Sequence, residues 1–273
     1  MKTIKINFVD FWGGFNPYDN YFTNLLKDNF HVEISNNPDY VFFSIFGNVH
    51  QQLNCKKIFY TGENLAPPMQ YANYAMSFDY LDDPRHYRIP HYLLYPGYYE
   101  LVNKKVDEKL LNRKFCSFIV SNGGCDVRNN FFQKLSKYKK VDSGGRFMNN
   151  IGKSVDNKVQ WIKDYKFNIA FENNAYRPQH IGYTTEKIME PMTVNTLPIY
   201  WGNPKIDLEF NTKSFINYSD FKSEEDMIEY IVELDKNDDK YMEVLKQAWL
   251  VNNEIIESNK IENIKAFLYK IFE

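Results

Sequence analysis

Short apolar runs recur along the chain, at residues 4–11, 40–46, 57–61, 74–78, 115–121, 167–171, 197–201 and 214–218. Most are near-continuous rather than alternating, the pattern of parallel strands covered on both faces. Between several of them lie stretches with apolar residues at helical spacing, such as 20–30 and 129–138. Alternating β and α elements of this kind predict doubly wound sheets. Beyond Phe221 the pattern changes, and 224–234, 240–252 and 261–272 each read as an amphipathic helix. The charged stretch 100–114, ELVNKKVDEKLLNRK, reads either as a domain boundary or as a surface helix inside one domain. Taken as a boundary, it gives an N-terminal domain at 1–105, a second domain at 106–240 and C-terminal helices at 241–273. The last helix either docks on the first domain or touches a membrane surface peripherally; its small basic excess favours docking. In open α/β sheets ligands sit beyond the carboxyl ends of the strands. Glu63, residues 122–126, 172–174 and 202–203 all occupy such positions.

Composition narrows the classes. A chain of 273 residues suits two ordinary domains or one large α/β unit. The aromatic share, 17%, is high; composition favours core for most of it, although Tyr also stacks on sugars and bases. Trp12, Tyr71, Tyr74 and Tyr92 are candidates for stacking, against the simpler reading that each is core. A formal net charge of -2 supplies no field to draw nucleic acid, although a local basic pocket for phosphate remains allowed. Cys55, Cys116 and Cys125 form no CxxC and no zinc spacing, which suits a reducing cytosol. The N-terminus lacks the apolar core and cleavage site of a signal peptide. No run approaches the ~20 apolar residues of a membrane span. A soluble, cytoplasmic chain is therefore expected.

Three stretches carry candidate chemistry. In KKIFYTGEN a strand runs out at Gly62, and Glu63 stands at its end. In FCSFIVSNGGCDVRNNFFQKL a strand, a glycine turn and a helix beginning near Asp126 follow one another. A helix N-terminus favours phosphate, and Arg128 lies in that first turn with a planar guanidinium able to hold two phosphate oxygens. The competing reading of Arg128 is a surface ion pair. SGGRF, 143–147, is a second glycine-rich piece, weak by itself. The third stretch, 165–204, reads strand, loop, helix, strand, turn. Its strand ends on Glu172, Asn173 and Asn174, its loop carries Tyr176, Arg177, His180 and Tyr183, and Thr184 or Thr185 caps a helix opening with Glu186 and Lys187. A lysine in a first helical turn opposes the macrodipole, which suggests a cation held beside an anionic ligand. Glu186 suits sugar or ribose hydroxyls, or merely a helix start. Pro191 falls inside the helical pattern and should shorten or kink it. His31, His50, His86, His91 and His180 show no metal spacing and read as polar contacts. Asp82 and Asp83 look like a turn, and neither a Walker loop nor a GxSxG elbow is present.

Taken together, FENN…YTTEKIMEPM…TLPIYWGNP resembles the donor-binding motif of the family 10 glycosyltransferases, the α1,3/α1,4-fucosyltransferases. VSNGGCDVRNNF is similar to that family's arginine-bearing segment, and FYTGEN with SFDYLDDPRHYRIPHYL to its acceptor-side glutamate region. The match is ordered over roughly 58–218 and is nearest the short bacterial type. The chain departs from the family pattern in the long loop 175–181, in FENN for the commoner FENS, and in Pro191.

The resemblance implies an α/β fold of GT-B type, with two Rossmann-like doubly wound domains facing a cleft and C-terminal helices. It implies inverting transfer of L-fucose from GDP-fucose to a hydroxyl, commonly O3 of GlcNAc or Glc, of a lactose- or N-acetyllactosamine-type glycan. Glu63 would be the general base, Arg128 and Lys187 would hold the diphosphate, and Asn173, Tyr183 and Glu186 would contact the donor. No tightly bound cofactor and no protein-ligated metal are expected, although a divalent cation can stimulate. The partners implied are GDP-fucose and an oligosaccharide acceptor. The alternatives are a GT-B enzyme using another nucleotide sugar and a non-catalytic carbohydrate-binding protein.

Overall fold

The computed structural model describes residues 1–174 and 181–273, and the chain divides into two compact units. The first comprises Met1–Leu94 and Ile256–Glu273. Its strands are β1 (Lys2–Val9), β2 (Phe30–Ile34), β3 (Tyr40–Phe43), β4 (Lys56–Tyr60), β5 (Tyr74–Ser77) and β6 (His86–Arg88), with helix α1 (Tyr21–Lys27) between β1 and β2. They form one parallel sheet in the order β2-β1-β3-β4-β5-β6. The strand order reverses at β1, so the crevice between the ends of β1 and β3 is a topological switch point.

The second unit, Tyr95–Ile255, repeats the same scheme. Its elements are β7 (Lys114–Phe118), α2 (Asp126–Tyr138), β8 (Val141–Ser143), α3 (Lys158–Ile162), β9 (Tyr165–Phe171), α4 (Glu186–Thr193), β10 (Leu197–Trp201), β11 (Ile216–Asn217), α5 (Glu224–Lys236) and α6 (Asp238–Lys246). The parallel sheet runs β8-β7-β9-β10-β11, and its switch point lies between the ends of β7 and β9. β9 is buried at every position, Lys166 and Asn168 included, which is why it reads as an apolar run interrupted only by those two residues. That lysine lays its ammonium 4.5 Å from the Tyr241 ring and pairs with Asp238 at 3.3 Å.

All eight expected strands are present, β10 with the expected bounds and the others with shifted ends. β2, β6 and β8 were not expected. Each is the edge strand of its sheet and carries mixed burial, so none shows the continuous apolar run of an interior strand. The helix expected at 240–252 stops at Lys246, and the chain continues through a β-bridge between Phe210 and Leu250.

The division differs from the expected 1–105, 106–240 and 241–273. Residues 100–114 are neither a linker nor a long helix. They form short 3₁₀ turns inside the second unit, tied down by Asn195 Nδ2 donating to Lys105 O (2.7 Å) and Lys104 Nζ donating to Gln247 O (2.6 Å). Residues 241–255 stay with that unit. The final helix, α7 (Ile261–Phe272), belongs to the first unit. Its Ile264, Leu268, Ile271 and Phe272 are buried, Phe272 lies 4.6 Å from the Tyr40 ring, and Tyr269 Oη donates to Leu25 O at 3.0 Å. Its apolar face is thus spent on the sheet. Among the described residues no helix is long and apolar enough to cross a membrane.

Candidate active site

The site in the second unit is built on its switch point. After β7 the chain makes the turn SNGGC and enters α2 at Asp126; after β8 it makes the turn SGGRF. The two turns pack on each other. Phe147 N–H donates to Val120 O at 3.1 Å, and a Cβ on Gly145 would stand 2.0 Å from that same carbonyl oxygen. Only glycine permits the approach. Neither turn is informative alone; the contact between them makes one platform.

Arg128, in the first turn of α2, is buried. Its Nη2 donates to Asn122 O (2.6 Å) and to Asn173 Oδ1 (3.1 Å), joining the loop after β7 to the residue after β9. Its Nε is buried and has no hydrogen-bond partner among the described residues. The surface ion-pair reading is excluded. Burial pulls the Arg128 pKa down, while nearby Cys125, Glu172 and Tyr183 push it back up, and a guanidinium stays charged throughout.

Glu172, immediately after β9, is fully buried. Its Oε1 accepts from Thr185 N–H (2.7 Å) and Thr185 Oγ1 (3.0 Å); its Oε2 accepts from Thr185 Oγ1 (2.8 Å) and Lys187 Nζ (3.2 Å). Thr185 is the N-cap of α4. One carboxylate therefore fixes both the start of the helix and the lysine that the macrodipole opposes. Burial lowers the Lys187 pKa, but Glu172 and Glu186 outweigh it, and the net direction is upward. The carboxylate beside Lys187 is that of Glu172. The sequence marks Glu172 only as a strand-end residue; its organising role is visible only once Thr185 and Lys187 are folded onto it.

Glu186 opens α4 with Lys158 Nζ 3.9 Å from its Oε1, and Lys158 also pairs with half-buried Glu190. Tyr183 is buried just before α4. Gly202, after β10, lies against the same cluster: a Cβ there would meet Tyr200 Oη at 2.3 Å and Glu172 Cγ at 2.8 Å. Pro191 does shorten the helix, which ends two residues later. The structure thus gathers Arg128, Asn173, Tyr183, Glu186 and Lys187 at one end of the second sheet. Tyr176, Arg177 and His180, in the loop 175–181, lie outside the described residues.

Glu63 belongs to the first unit. It follows β4 and is exposed, its N–H bonded to Thr61 Oγ1 (3.0 Å) and its carbonyl accepting from Leu65 N–H (2.7 Å). This tight turn holds the residue at the carboxyl end of the sheet. His50 pairs with Asp10 and His86 with Ser77, the polar contacts expected of them. Asp83 turns back on Arg85 N–H at 2.8 Å. Of the four stacking candidates, Tyr92 is core and Tyr74 packs edge-on to Phe267, whereas Trp12 and Tyr71 are exposed. Among the described residues no cluster of three or more His, Cys, Asp or Glu is arranged to hold a metal ion.

Comparison with known proteins bears directly on this arrangement. Residues 6–95 match the alpha-(1,3)-fucosyltransferase FucT N-terminal domain, and residues 110–267 match the C-terminal domain of glycosyltransferase family 10 (fucosyltransferase). The alpha-(1,3)-fucosyltransferase FucT of Helicobacter pylori is 32% identical, over 98% of this chain and 63% of its own length. The chain thus spans under two thirds of that relative. A putative fucosyltransferase of Acanthamoeba polyphaga mimivirus is 32% identical over 58% of this chain and 28% of its own length. A crystal structure of an alpha1,3-fucosyltransferase with GDP-fucose superimposes with a TM-score of 0.84 at 29% identity, covering 100% of this chain and 91% of that one. Anabaena HepE, solved with UDP-glucose, shares the fold alone, at a TM-score of 0.56 and 10% identity. The two Rossmann-like units are of GT-B type, and the chain belongs to glycosyltransferase family 10, the fucosyltransferase family.

Proposed function

We propose that the chain is an inverting fucosyltransferase that moves L-fucose from GDP-fucose to a sugar hydroxyl, O3 of GlcNAc or Glc in a lactose- or N-acetyllactosamine-type acceptor. The donor belongs to the second unit and the acceptor to the first. The observation that carries this reading is the pair of cations at the second switch point. Arg128 is held by Asn122 and Asn173, and Lys187 by Glu172. They supply fixed positive charge where the fold receives a nucleotide.

In single displacement the acceptor oxygen bonds to the anomeric carbon on the face opposite GDP, and the carbon–phosphate oxygen bond breaks. The acceptor proton passes to the Glu63 carboxylate. Charge developing on the β-phosphate is met by Arg128 and Lys187, each already oriented by a protein partner, so little reorganisation accompanies the step. Asn173, Tyr183 and Glu186 contact the donor. The three free thiols fit a cytoplasmic site of action.

The test is transfer by the purified protein from GDP-fucose to lactose, N-acetyllactosamine and its 1,3-linked isomer, with product linkage read by NMR. The expected product carries α1,3-linked fucose. Release of nucleotide from another sugar donor in preference to GDP-fucose would replace this reading with the neighbouring GT-B one. Absence of transfer from any donor would leave only a binding protein.

A further inference from the structure

The second unit holds a cavity that the transfer reaction does not use. Helix α4 starts at the carboxyl end of the sheet with Glu186 and ends at Thr193. The turn that follows it into β10 therefore lies at the amino end of the sheet, opposite Arg128 and Lys187. There Met192, Thr193 and Asn195 line a cavity of about 900 Å³ together with Leu101, Lys104 and Trp249.

Lys104 is the reactive member of this lining. Its Nζ donates to Gln247 O at 2.6 Å and lies 3.1 Å from the centre of the Trp249 ring. The other charged side chains at the cavity are Glu100 and Lys105. Glu100 is taken up by Asn103, whose Nδ2 donates to its Oε2 at 2.9 Å. The end of α4 and the segment 247–249 bring no ionisable group to the lining. Among the described residues no carboxylate pairs with Lys104, which is half-buried without a counter-charge. A ring face favours the ammonium form. Burial opposes it and pulls the Lys104 pKa down to about 7. Once neutral, the amine has two hydrogens for two acceptors, the Gln247 carbonyl and the ring face, and its lone pair is left for the cavity.

We propose that Lys104 is a modification site, whose Nζ takes the acyl group of a small acyl phosphate into this cavity. The neutral nitrogen attacks the carbonyl carbon and forms a C–N bond. The bond from that carbon to the phosphate oxygen breaks, and phosphate leaves with the electron pair. The proton released from Nζ passes to water, and the product is an amide. The amide keeps one N–H for Gln247 O, and the cavity has room for a short acyl chain. An aldehyde is the poorer reactant. Its imine forms only when an acid helps hydroxide leave as water, and the acid lining the cavity, Glu100, is bonded to Asn103. This inference does not rest on the transferase reading.

The test incubates the full chain with acetyl phosphate and follows each lysine by fragment-ion mass spectrometry. Lys105, the exposed chain neighbour, is the internal reference. An ordinary lysine has only about 0.04% of its amine neutral at pH 7, against about half for one titrating near 7. The less basic amine is also the weaker nucleophile, so the expected advantage of Lys104 is about ten-fold in initial rate rather than the full ratio. Its rate should level off above about pH 8, where the amine is already neutral. In guanidinium chloride at unfolding concentration the cavity and the burial are gone, and Lys104 and Lys105 should label at equal rates. The inference is overturned if folded Lys104 labels no faster than Lys105 at pH 7, or if its rate is still climbing at pH 10. It is overturned equally if the preference survives unfolding, since local sequence rather than the cavity would then be its source.

Discussion

Replacing Glu172 by Gln is the sharpest test of how the second unit's site is held. The substitution keeps volume and removes a charge from a fully buried position. Gln can still accept from Thr185 N–H through its carbonyl, so the cap of α4 largely survives. What is lost is the carboxylate opposite Lys187 Nζ at 3.2 Å. In the native protein Glu172 and Glu186 raise the Lys187 pKa against burial and against Arg128. Without Glu172 the lowering causes gain and the lysine titrates lower. Breaking a buried pair by removing one partner costs roughly 3–5 kcal/mol. The Lys187 side chain is 20% exposed, so water recovers part of that, and about 3 kcal/mol is the expected loss. For a protein of this size that corresponds to a fall in Tm of about 6–10 °C. The sign with pH follows from the upward shift in the wild type: the stabilising contribution is complete at pH 7 and is lost only as pH rises through the native lysine pKa. Glu172→Gln should remove this alkaline dependence. The assay is thermal unfolding of Glu172→Gln, Lys187→Met and the double variant, with GDP affinity measured by calorimetry. The double variant should recover much of the stability lost in Glu172→Gln, because no unpaired cation remains, yet GDP affinity should stay weak in all three. A Tm for Glu172→Gln within about 1 °C of wild type, or a double variant no more stable than it, would refute the argument.

Four further outcomes follow from the same structure. Glu63→Gln should abolish transfer while leaving GDP affinity intact, since the residue lies on the first unit; unchanged turnover would dispose of the base assignment. Arg128→Lys should lower kcat about 100-fold, the loss of one fixed contact to developing charge, and a near-wild-type rate would show that the guanidinium fork is not needed. Gly202→Ala drives a Cβ to 2.3 Å from Tyr200 Oη and should cost about 2 kcal/mol in urea unfolding. His86 is buried beside Ser77 (2.9 Å), and burial lowers its pKa to about 4. The unfolded chain binds this proton first, so stability should be full above about pH 6.5 and fall by about 3 kcal/mol towards pH 4. His86→Gln should flatten that slope in chemical unfolding followed by fluorescence.

Much of the architecture is legible in the chain because interior parallel strands leave an unmistakable trace. β9 and β10 are buried on both faces and therefore apolar throughout, apart from Lys166, Asn168 and Pro198. Their ends are equally legible, since a polar residue directly after such a run must lie at a sheet edge. Glu63 and Asn173 were found that way, Arg128, Glu186 and Lys187 by their places in the first turns of the helices that follow such runs, and the order of motifs pointed to the family. The edge strands β2, β6 and β8 leave no such trace, because each has positions that are only partly buried or exposed, whereas the edge strand β11 is buried at both positions and was legible. The boundary at 100–114 misled for a related reason: a charged stretch looks the same whether it links two units or lies folded on the surface of one.

The sequence by itself determined the α/β alternation, the interior strands, the strand-end placement of Glu63, the helix-start placement of Arg128 and Lys187, and membership of a glycosyltransferase family. Those properties depend on each residue's immediate neighbours along the chain. Only the tertiary structure decided that Glu172 rather than solvent stands beside Lys187, and that two weak glycine turns form one platform. It also returned the last helix to the first unit and left Trp12 and Tyr71 in water while Tyr92 is buried. The physical reason is that these features are contacts between residues far apart in the chain. A carboxylate, a glycine or an aromatic ring carries the same local signature whichever distant partner the fold brings to it.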